Sequence, residues 1–276
     1  MATLKLTPEQ LFRLRQSLPT MGDKEKRRTL DLLKKYDTQM AQQMGKEALL
    51  DFIRHVYPGY KVGPHHLKLI QIFEDIARGV KKRVIVNIAP RHGKSELISY
   101  LAPAWFLGNY PQKKIIMASH TADLAVNFGR RVRNLVSSDL YRDIFPSIEL
   151  QADSKSASRW GTNRNGEYFA IGVGGALAGR GADLFIIDDP HSEQEAKTGR
   201  PDVFLPAWEW FQAGPLQRLM PGGAIIVVMC MTGDTPVLLP DGTEKPLRDI
   251  RPGDRVASYD NGRVDRKSTR LNSSHT

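Results

Sequence analysis

Two short stretches of the sequence pair side chains in a way that could handle a phosphorylated substrate. The first is Ile88-Ala89-Pro90-Arg91-His92-Gly93-Lys94-Ser95. A phosphate-binding loop reads Gly, four residues, then Gly-Lys-Ser/Thr. Gly93, Lys94 and Ser95 supply the second half, while Ile88 stands where the first glycine would be. Backbone N–H groups and a helix N-terminus hold phosphates in such a loop, and only Gly93 allows close approach without a side chain. Arg91 and His92 lie within the same phosphate-binding stretch. Lys94 would reach the β- and γ-phosphates of ATP, and Ser95 would coordinate Mg²⁺. The second stretch is Leu184-Phe185-Ile186-Ile187-Asp188-Asp189, an apolar run ending in two carboxylates. Asp188 would hold Mg²⁺, and Asp189 would orient or deprotonate the attacking water. Glu193 and Glu195 follow closely as further carboxylates. The alternative for the Asp pair is an Asx-turn closing the strand before Pro190.

Position gives these stretches weight that a Gly-Lys-Ser tripeptide alone lacks. Val84, Ile85, Val86 and Ile88 form a short apolar run suited to a strand buried on both faces. Similar runs occur at Ile115–Ala118, Tyr168–Ile171, Leu184–Ile187 and Ala224–Met229. Helical patterns fall between several of them, at Lys94–Leu107, Ala122–Val136 and Val203–Leu219. The loop therefore joins a strand to a helix, and the Asp pair ends a strand. Strands interleaved with helices predict an α/β core with a mostly parallel sheet. Ahead of it, Thr7-Pro8-Glu9-Gln10 reads as an N-cap, a proline at the first helical position and a capping-box Gln. Further helices are expected over Asp23–Gln43, Glu47–Val56 and His66–Arg78.

Composition excludes several classes. Of 276 residues, 41% are hydrophobic and 25% charged, which argues against a disordered or collagen-like chain. The longest apolar run, Ala224–Met231, is far short of the roughly 20 residues of a membrane span. No signal-peptide pattern opens the sequence. The single cysteine, Cys230, cannot form an internal disulfide. Residues 1–229 carry +9 of the net +10, a basic balance that suits a polyanionic partner. From Cys230 onward the composition shifts to short apolar pieces broken by Gly-Asp, Asp-Gly, Pro-Gly and Asn-Gly, which reads as β-hairpins.

Residues 47–229 resemble the large subunit of tailed-phage terminases, the motor that pumps DNA into procapsids. The carriers are NIAPRHGKSEL at 87–97, ASHTADLAVNFGRRVRNL at 118–135, GGALAGRGADLFIIDDPHS at 174–192 and WEWFQAGPLQRLMPGGAIIVVM at 208–229. The missing first loop glycine is usual in that family. The resemblance implies a RecA-like, additional-strand P-loop NTPase core and Mg²⁺-dependent ATP hydrolysis coupled to translocation of double-stranded DNA. It further implies portal protein and small terminase subunit as partners, a homo-oligomeric ring, the host cytoplasm as location and no membrane. Its C-terminal nuclease domain is expected to be absent here. Arg91 matches a position proposed to stabilise charge during phosphoryl transfer, and Arg180, between Gly179 and Gly181, is a second candidate. Tyr57, His65 and His66 lie where an adenine-contacting segment is expected, or are core residues. Trp208, Trp210 and Phe211 are expected in the core. Another P-loop ATPase, such as a helicase, is the alternative.

The family continues after the last strand with Thr-Arg-Trp, whereas this chain has Cys230-Met231-Thr232-Gly233-Asp234-Thr235. Residues 230–264 resemble the start of an intein, a self-splicing Hint domain. That resemblance makes Cys230 the nucleophile of an N→S acyl shift onto the Met229 carbonyl. No Thr-x-x-His block or terminal His-Asn follows, which leaves a split-intein N-terminal half engaged in trans-splicing as an alternative. Residues 265–276 resemble one reading frame of a sequencing-library adapter. The expected organisation is a helical region at 1–60, an ATPase domain at 61–229, an intein fragment at 230–264 and the adapter-like tail. Unpaired strand edges should make such a chain aggregate rather than melt cooperatively.

Overall fold

The structure is a computed structural model and describes residues 7–89, 91–153, 156–192, 194–195, 201–230, 234–251, 254–255, 258–260 and 263–265. Its residues group into two compact units. The first comprises Met1–Ile85 and Gly93–Val228, and the second Val86–His92 and Met229–Thr276.

The first unit begins with four helices, α1 (Pro8–Ser17), α2 (Asp23–Glu47), α3 (Leu49–Val56) and α4 (Pro64–Ala77). Thr7 caps α1 as its sequence requires. Its hydroxyl accepts the Gln10 N–H at 3.2 Å while Gln10 Oε1 accepts the Thr7 N–H at 2.9 Å. The apolar positions of α3 and α4 recur at helical spacing and are buried: Leu49, Phe52, Ile53 and Val56, then Leu69, Ile70, Phe73 and Ile76. At the end of α2, a Cβ on Gly45 would lie 2.7 Å from Ile144, so a glycine lets α2 pack closely against α7 (Asp139–Ile144). The Gly45 carbonyl accepts the Trp105 indole N–H at 3.0 Å.

The helix expected after the phosphate loop forms, but not as a uniform α-helix. Glu96–Leu101 is π-helical and leads into α5 (Ala102–Asn109), with the Ala102 N–H bonded to the Leu97 carbonyl five residues back. Pro103 supplies the reason. It has no N–H to donate, and in an α-helix its ring would press on the carbonyl of Ser99. One wider turn absorbs that conflict.

The sheet runs β1-β6-β5-β2-β4-β3. Its strands are β1 (Arg83–Asn87), β2 (Lys114–Ser119), β3 (Arg159–Gly161), β4 (Glu167–Gly172), β5 (Ala182–Asp188) and β6 (Leu219–Met229). β2 pairs parallel with β4 and β5, and β5 with β6, whereas β3 is antiparallel to β4. The expected α/β core with a mostly parallel sheet is therefore present. Register places Phe169, Ile116, Phe185 and Ile225 in one row, on the face that packs against Leu177, Trp210 and Phe211. The other face presents Tyr168, Ile115 and Leu184, and ends at Gly172, Ser119 and Asp188. Helix α6 (Ala122–Val136) covers that face. The Trp160 indole N–H donates to the Gly129 carbonyl at 3.1 Å, and the Trp160 ring stacks on Tyr168 at 5.0 Å. Burial on both faces explains why β2 and β5 read as continuous apolar runs. The expectation fails for β1, where Val86 is buried but Ile85 is 68% exposed.

Two expectations are corrected. The segment 203–219 is not one helix: Gly214 and Pro215 end α8 (Leu205–Ala213), and a 3₁₀ turn at Pro215–Arg218 follows. β6 accordingly starts at Leu219 rather than Ala224. Trp208 is 43% exposed and does not join the core. Trp210 does pack there, edge-on to Phe185 at 6.3 Å, with its indole N–H donating to the Gly175 carbonyl at 2.8 Å.

In the second unit the Ile88 N–H donates to the Met229 carbonyl at 3.2 Å. Two short antiparallel pairs follow, β7 (Pro236–Leu238) with β8 (Glu244–Pro246), and β9 (Ser258–Asp260) with β10 (Arg263–Asp265). The Asp-Gly turn expected at 241–242 closes the first pair. Gly242 takes φ +85°, and Asp241 Oδ1 accepts from the Thr243 N–H and hydroxyl at 3.0 and 2.7 Å. Ion pairs Lys245–Asp254 and Arg248–Asp234 cross-link this segment. The Gly233, Pro252-Gly253 and Asn261-Gly262 positions and residues 266–276 lie outside the described residues. Among the described residues no helix is long and apolar enough to cross a membrane.

Candidate active site

The first unit brings Lys94, Ser95, Asp188 and Asp189 together. Gly93 takes φ +72°, and a Cβ there would lie 2.6 Å from His66 Nε2, so neither backbone nor space admits a larger residue. His66 is itself held, its Nδ1 accepting the Gly63 N–H at 2.9 Å and its ring lying 5.4 Å from Tyr60. Lys94 follows in the first helical turn with its side chain only 7% exposed, and its ammonium donates to Asp189 Oδ2 at 2.9 Å. An ammonium this deeply placed requires a partner.

Asp188 ends β5 and is 1% exposed. Its Oδ2 accepts the Ser99 hydroxyl at 2.7 Å, and the Ser95 hydroxyl lies near enough to favour the charged carboxylate. Its Oδ1 is buried with no hydrogen-bond partner among the described residues. Burial is the main force raising the Asp188 pKa, and the charge of Asp189 adds to it. The Ser99 hydrogen bond, the nearby Ser95 hydroxyl and Lys94 oppose that rise. Asp189 occupies the left-handed region at φ +45°. Its backbone is pinned on both sides, the N–H donating to the Val228 carbonyl at 2.8 Å and the carbonyl accepting from the His120 N–H at 3.2 Å. Strain of this kind persists only where surrounding structure over-determines it. Ser119, at the end of β2 and in register with Asp188, is fully buried with its hydroxyl unpartnered among the described residues.

Ser95 and the free oxygen of Asp188 form a hard-oxygen donor set at the C-terminal ends of parallel strands, where α/β sheets bind ligands. Among the described residues there is no cluster of three or more His, Cys, Asp or Glu. One carboxylate, one hydroxyl and a nucleotide's phosphates are what Mg²⁺ commonly takes, so the residues fit that ion.

The other expected residues fall elsewhere. Arg91 and His92 are exposed and belong to the second unit, Arg91 in the left-handed region at φ +62°. Cys230, in the same unit, is exposed. The Arg180 guanidinium stacks over the Phe169 ring at 3.8 Å, a packing role. Glu195 accepts the Ser192 N–H and hydroxyl at 2.7 and 3.1 Å, and these bonds, the backbone one foremost, lower its pKa. That engagement leaves it a loop-fixing residue rather than a base. Glu193 lies outside the described residues. Tyr57 is 43% exposed, while the His65 and His66 rings lie 3.9 Å apart, tilted by 45°.

Sequence reasoning missed three participants. Ser99 stands four residues after Ser95, a spacing that puts both on one helical face. His120 directly follows β2. Arg131 on α6 contacts both oxygens of Glu96 at 2.6 and 2.7 Å and lies over the Tyr100 ring at 4.0 Å. Nearby, burial and the Glu96 charge push the Tyr60 phenol up to about 12. The Ser99 spacing was readable, whereas nothing local in sequence pairs Arg131 with Glu96.

A family profile described as terminase large subunit, T4likevirus-type, N-terminal matches residues 85–199, the stretch from β1 through β5 that holds Lys94, Ser95, Asp188 and Asp189. No curated protein matches the chain. Among solved structures, the large terminase of bacteriophage HK97 is similar over 68% of this chain at 16% identity, with a TM-score of 0.46. The chain spans 38% of that protein's length. A mutant of the large terminase ATPase domain of Thermus phage P74-26 is similar over 67% of this chain and 70% of its own, at 19% identity and a TM-score of 0.41.

Proposed function

We propose that this chain carries the N-terminal ATPase part of a terminase large subunit, a Mg²⁺-dependent ATPase that drives double-stranded DNA into procapsids. The observation that carries the reading is the contact of the buried Lys94 ammonium with Asp189 beside the metal-competent carboxylate of Asp188. The family match over residues 85–199 supports the motor assignment.

Lys94 would exchange its contact with Asp189 for nucleotide phosphate oxygens. That exchange releases the Asp189 carboxylate to orient an attacking water and accept its proton. Gly93 and the N–H groups at the start of the following helix hold the phosphates. Ser95 and Asp188 would hold Mg²⁺, which would supply charge neutralisation for the phosphates. The pinned backbone of Asp189 keeps its carboxylate in place through the cycle. Basic residues contact DNA mainly through phosphates, so affinity falls with salt. Portal protein, small terminase subunit and a homo-oligomeric ring are the partners the family offers. The direct test is phosphate release from ATP, with and without Mg²⁺ and DNA. Lys94→Ala should lower the rate by about 10²–10³. Turnover unaffected by Lys94→Ala would sink the proposal.

A second reading concerns residues 230–264, and the exposed thiol of Cys230 just after β6 favours it. The thiolate attacks the Met229 carbonyl carbon, the Met229–Cys230 C–N bond breaks, and the released amine takes the proton. The resulting thioester is the first step of splicing. Hydroxylamine should cleave the chain at Met229, and Cys230→Ala should abolish that cleavage. An intact wild-type chain would exclude the reading.

A further inference from the structure

We propose that Ser99 is a positioning residue of the nucleotide-metal site, holding Asp188 so that a single carboxylate oxygen faces the cation. The inference rests on the ATPase reading above.

Ser99 lies among fully buried apolar neighbours. Leu97, Ile98, Leu101 and Ala102 are, like Ser99, 0% exposed. Packing alone would place an alanine or larger apolar residue there, because an unpartnered hydroxyl is costly to bury. The hydroxyl is instead engaged, at 2.7 Å from Asp188 Oδ2, a length typical of an O–H donor on an ionised acceptor. Its partner's other oxygen, Oδ1, is buried and without a hydrogen-bond partner among the described residues. The carboxylate is thus divided, with one oxygen occupied by protein and one left for a ligand. Ser99 sits inside the π-helical turn that Pro103 imposes, so local backbone geometry and the carboxylate contact coincide at one residue. The Ser99 hydroxyl on the helix therefore fixes the rotamer of a side chain on the neighbouring strand. Partners of this kind around a metal ligand typically alter metal affinity by about 10–100-fold.

The test measures Mn²⁺ binding to the full chain with ADP by electron paramagnetic resonance, alongside ADP binding in EDTA. Ser99→Ala should weaken Mn²⁺ binding by about 10–100-fold and leave metal-free ADP affinity unchanged. Ser99→Thr, which keeps the hydroxyl, should restore Mn²⁺ binding. Should Ser99→Ala not fold, Ser99→Cys preserves volume with a weak donor and should show a smaller loss in the same direction. Mn²⁺ binding equal to or tighter than wild type in a folded Ser99 variant would overturn the proposal, as would a parallel loss of metal-free ADP binding. A wild-type chain that binds neither ADP nor Mn²⁺ would remove the ATPase reading and this inference with it. Wild-type binding with an indifferent Ser99→Ala would remove this inference alone.

Discussion

The six-stranded sheet of the first unit and the hairpins of the second are both β-structure, yet they are stabilised by different means. In the sheet, β2 and β5 are buried on both faces, and Phe185, Ile186, Ile116 and Met117 are at most 1% exposed. In the second unit Met229, Cys230, residues 234–237 and 239–251, Asp254 and Arg255 are all at least partly exposed, and turns and ion pairs hold the segment. Two-stranded hairpins without an apolar face are marginal in water. The difference explains where precise chemistry can reside. Lys94, Ser95, Ser99, Asp188 and Asp189 all belong to the first unit, and each is oriented by packed strands and helices. Cys230 stands where turns and exposed ion pairs, rather than a packed core, organise the chain.

The contrast can be broken most directly by emptying the sheet. Phe185→Ala removes a fully buried ring and should destabilise the first unit by about 3–5 kcal/mol in denaturant unfolding. A loss under 1 kcal/mol would mean the sheet is not the stabilising element it is taken to be. A smaller effect is expected where α4 turns into β1. Asp75 accepts from Gln71, Arg78 and Lys81, and its carbonyl accepts the Val80 and Lys81 N–H groups. The Lys81 bond foremost pulls its carboxyl down from 3.8 to about 2. A folded-state pKa below the unfolded one means the stabilisation is complete above about pH 4 and is lost as pH falls toward 2. Asp75→Asn should cost about 1–2 kcal/mol at pH 7 and flatten the wild-type fall in stability between pH 4 and 2. Parallel pH profiles for variant and wild type would refute that account. The smallest effect belongs to the second unit. Val237→Ala, paired across the hairpin with Lys245, should change stability by no more than about 0.5 kcal/mol. A loss near that of Phe185→Ala would erase the distinction between the units and reveal a core after Met229.

Much of this arrangement was legible in the residues. The Thr7–Gln10 capping box, the five apolar strands and the Asp241-Gly242 turn follow from local rules of spacing, capping and turn chemistry. Local rules fail where neighbours are distant in sequence. Strand β3 has three residues and no pattern of its own, and exists because it pairs with β4. Trp208 and Trp210 are indistinguishable by type, yet one is 43% exposed and the other packs on Phe185, because an α-helix turns them to different faces. The helix expected over 203–219 ended early at Gly214-Pro215, a breaker pair that apolar content had outweighed.

The sequence by itself determined which groups exist to do chemistry and the element on which each is carried. A lysine and a serine follow a glycine at a helix start, and two aspartates end an apolar strand. Only tertiary structure decided how those groups divide the work. Strand register set Asp188 beside Ser119, the turn imposed by Pro103 accommodated Ser99 against Asp188, and bonds to Val228 and His120 held Asp189 in a left-handed backbone. Each of these relations joins residues tens of positions apart or depends on a side chain's direction. Local propensity therefore carries no information about them. They arise when burying the sheet on both faces leaves one arrangement in which its few polar groups keep partners.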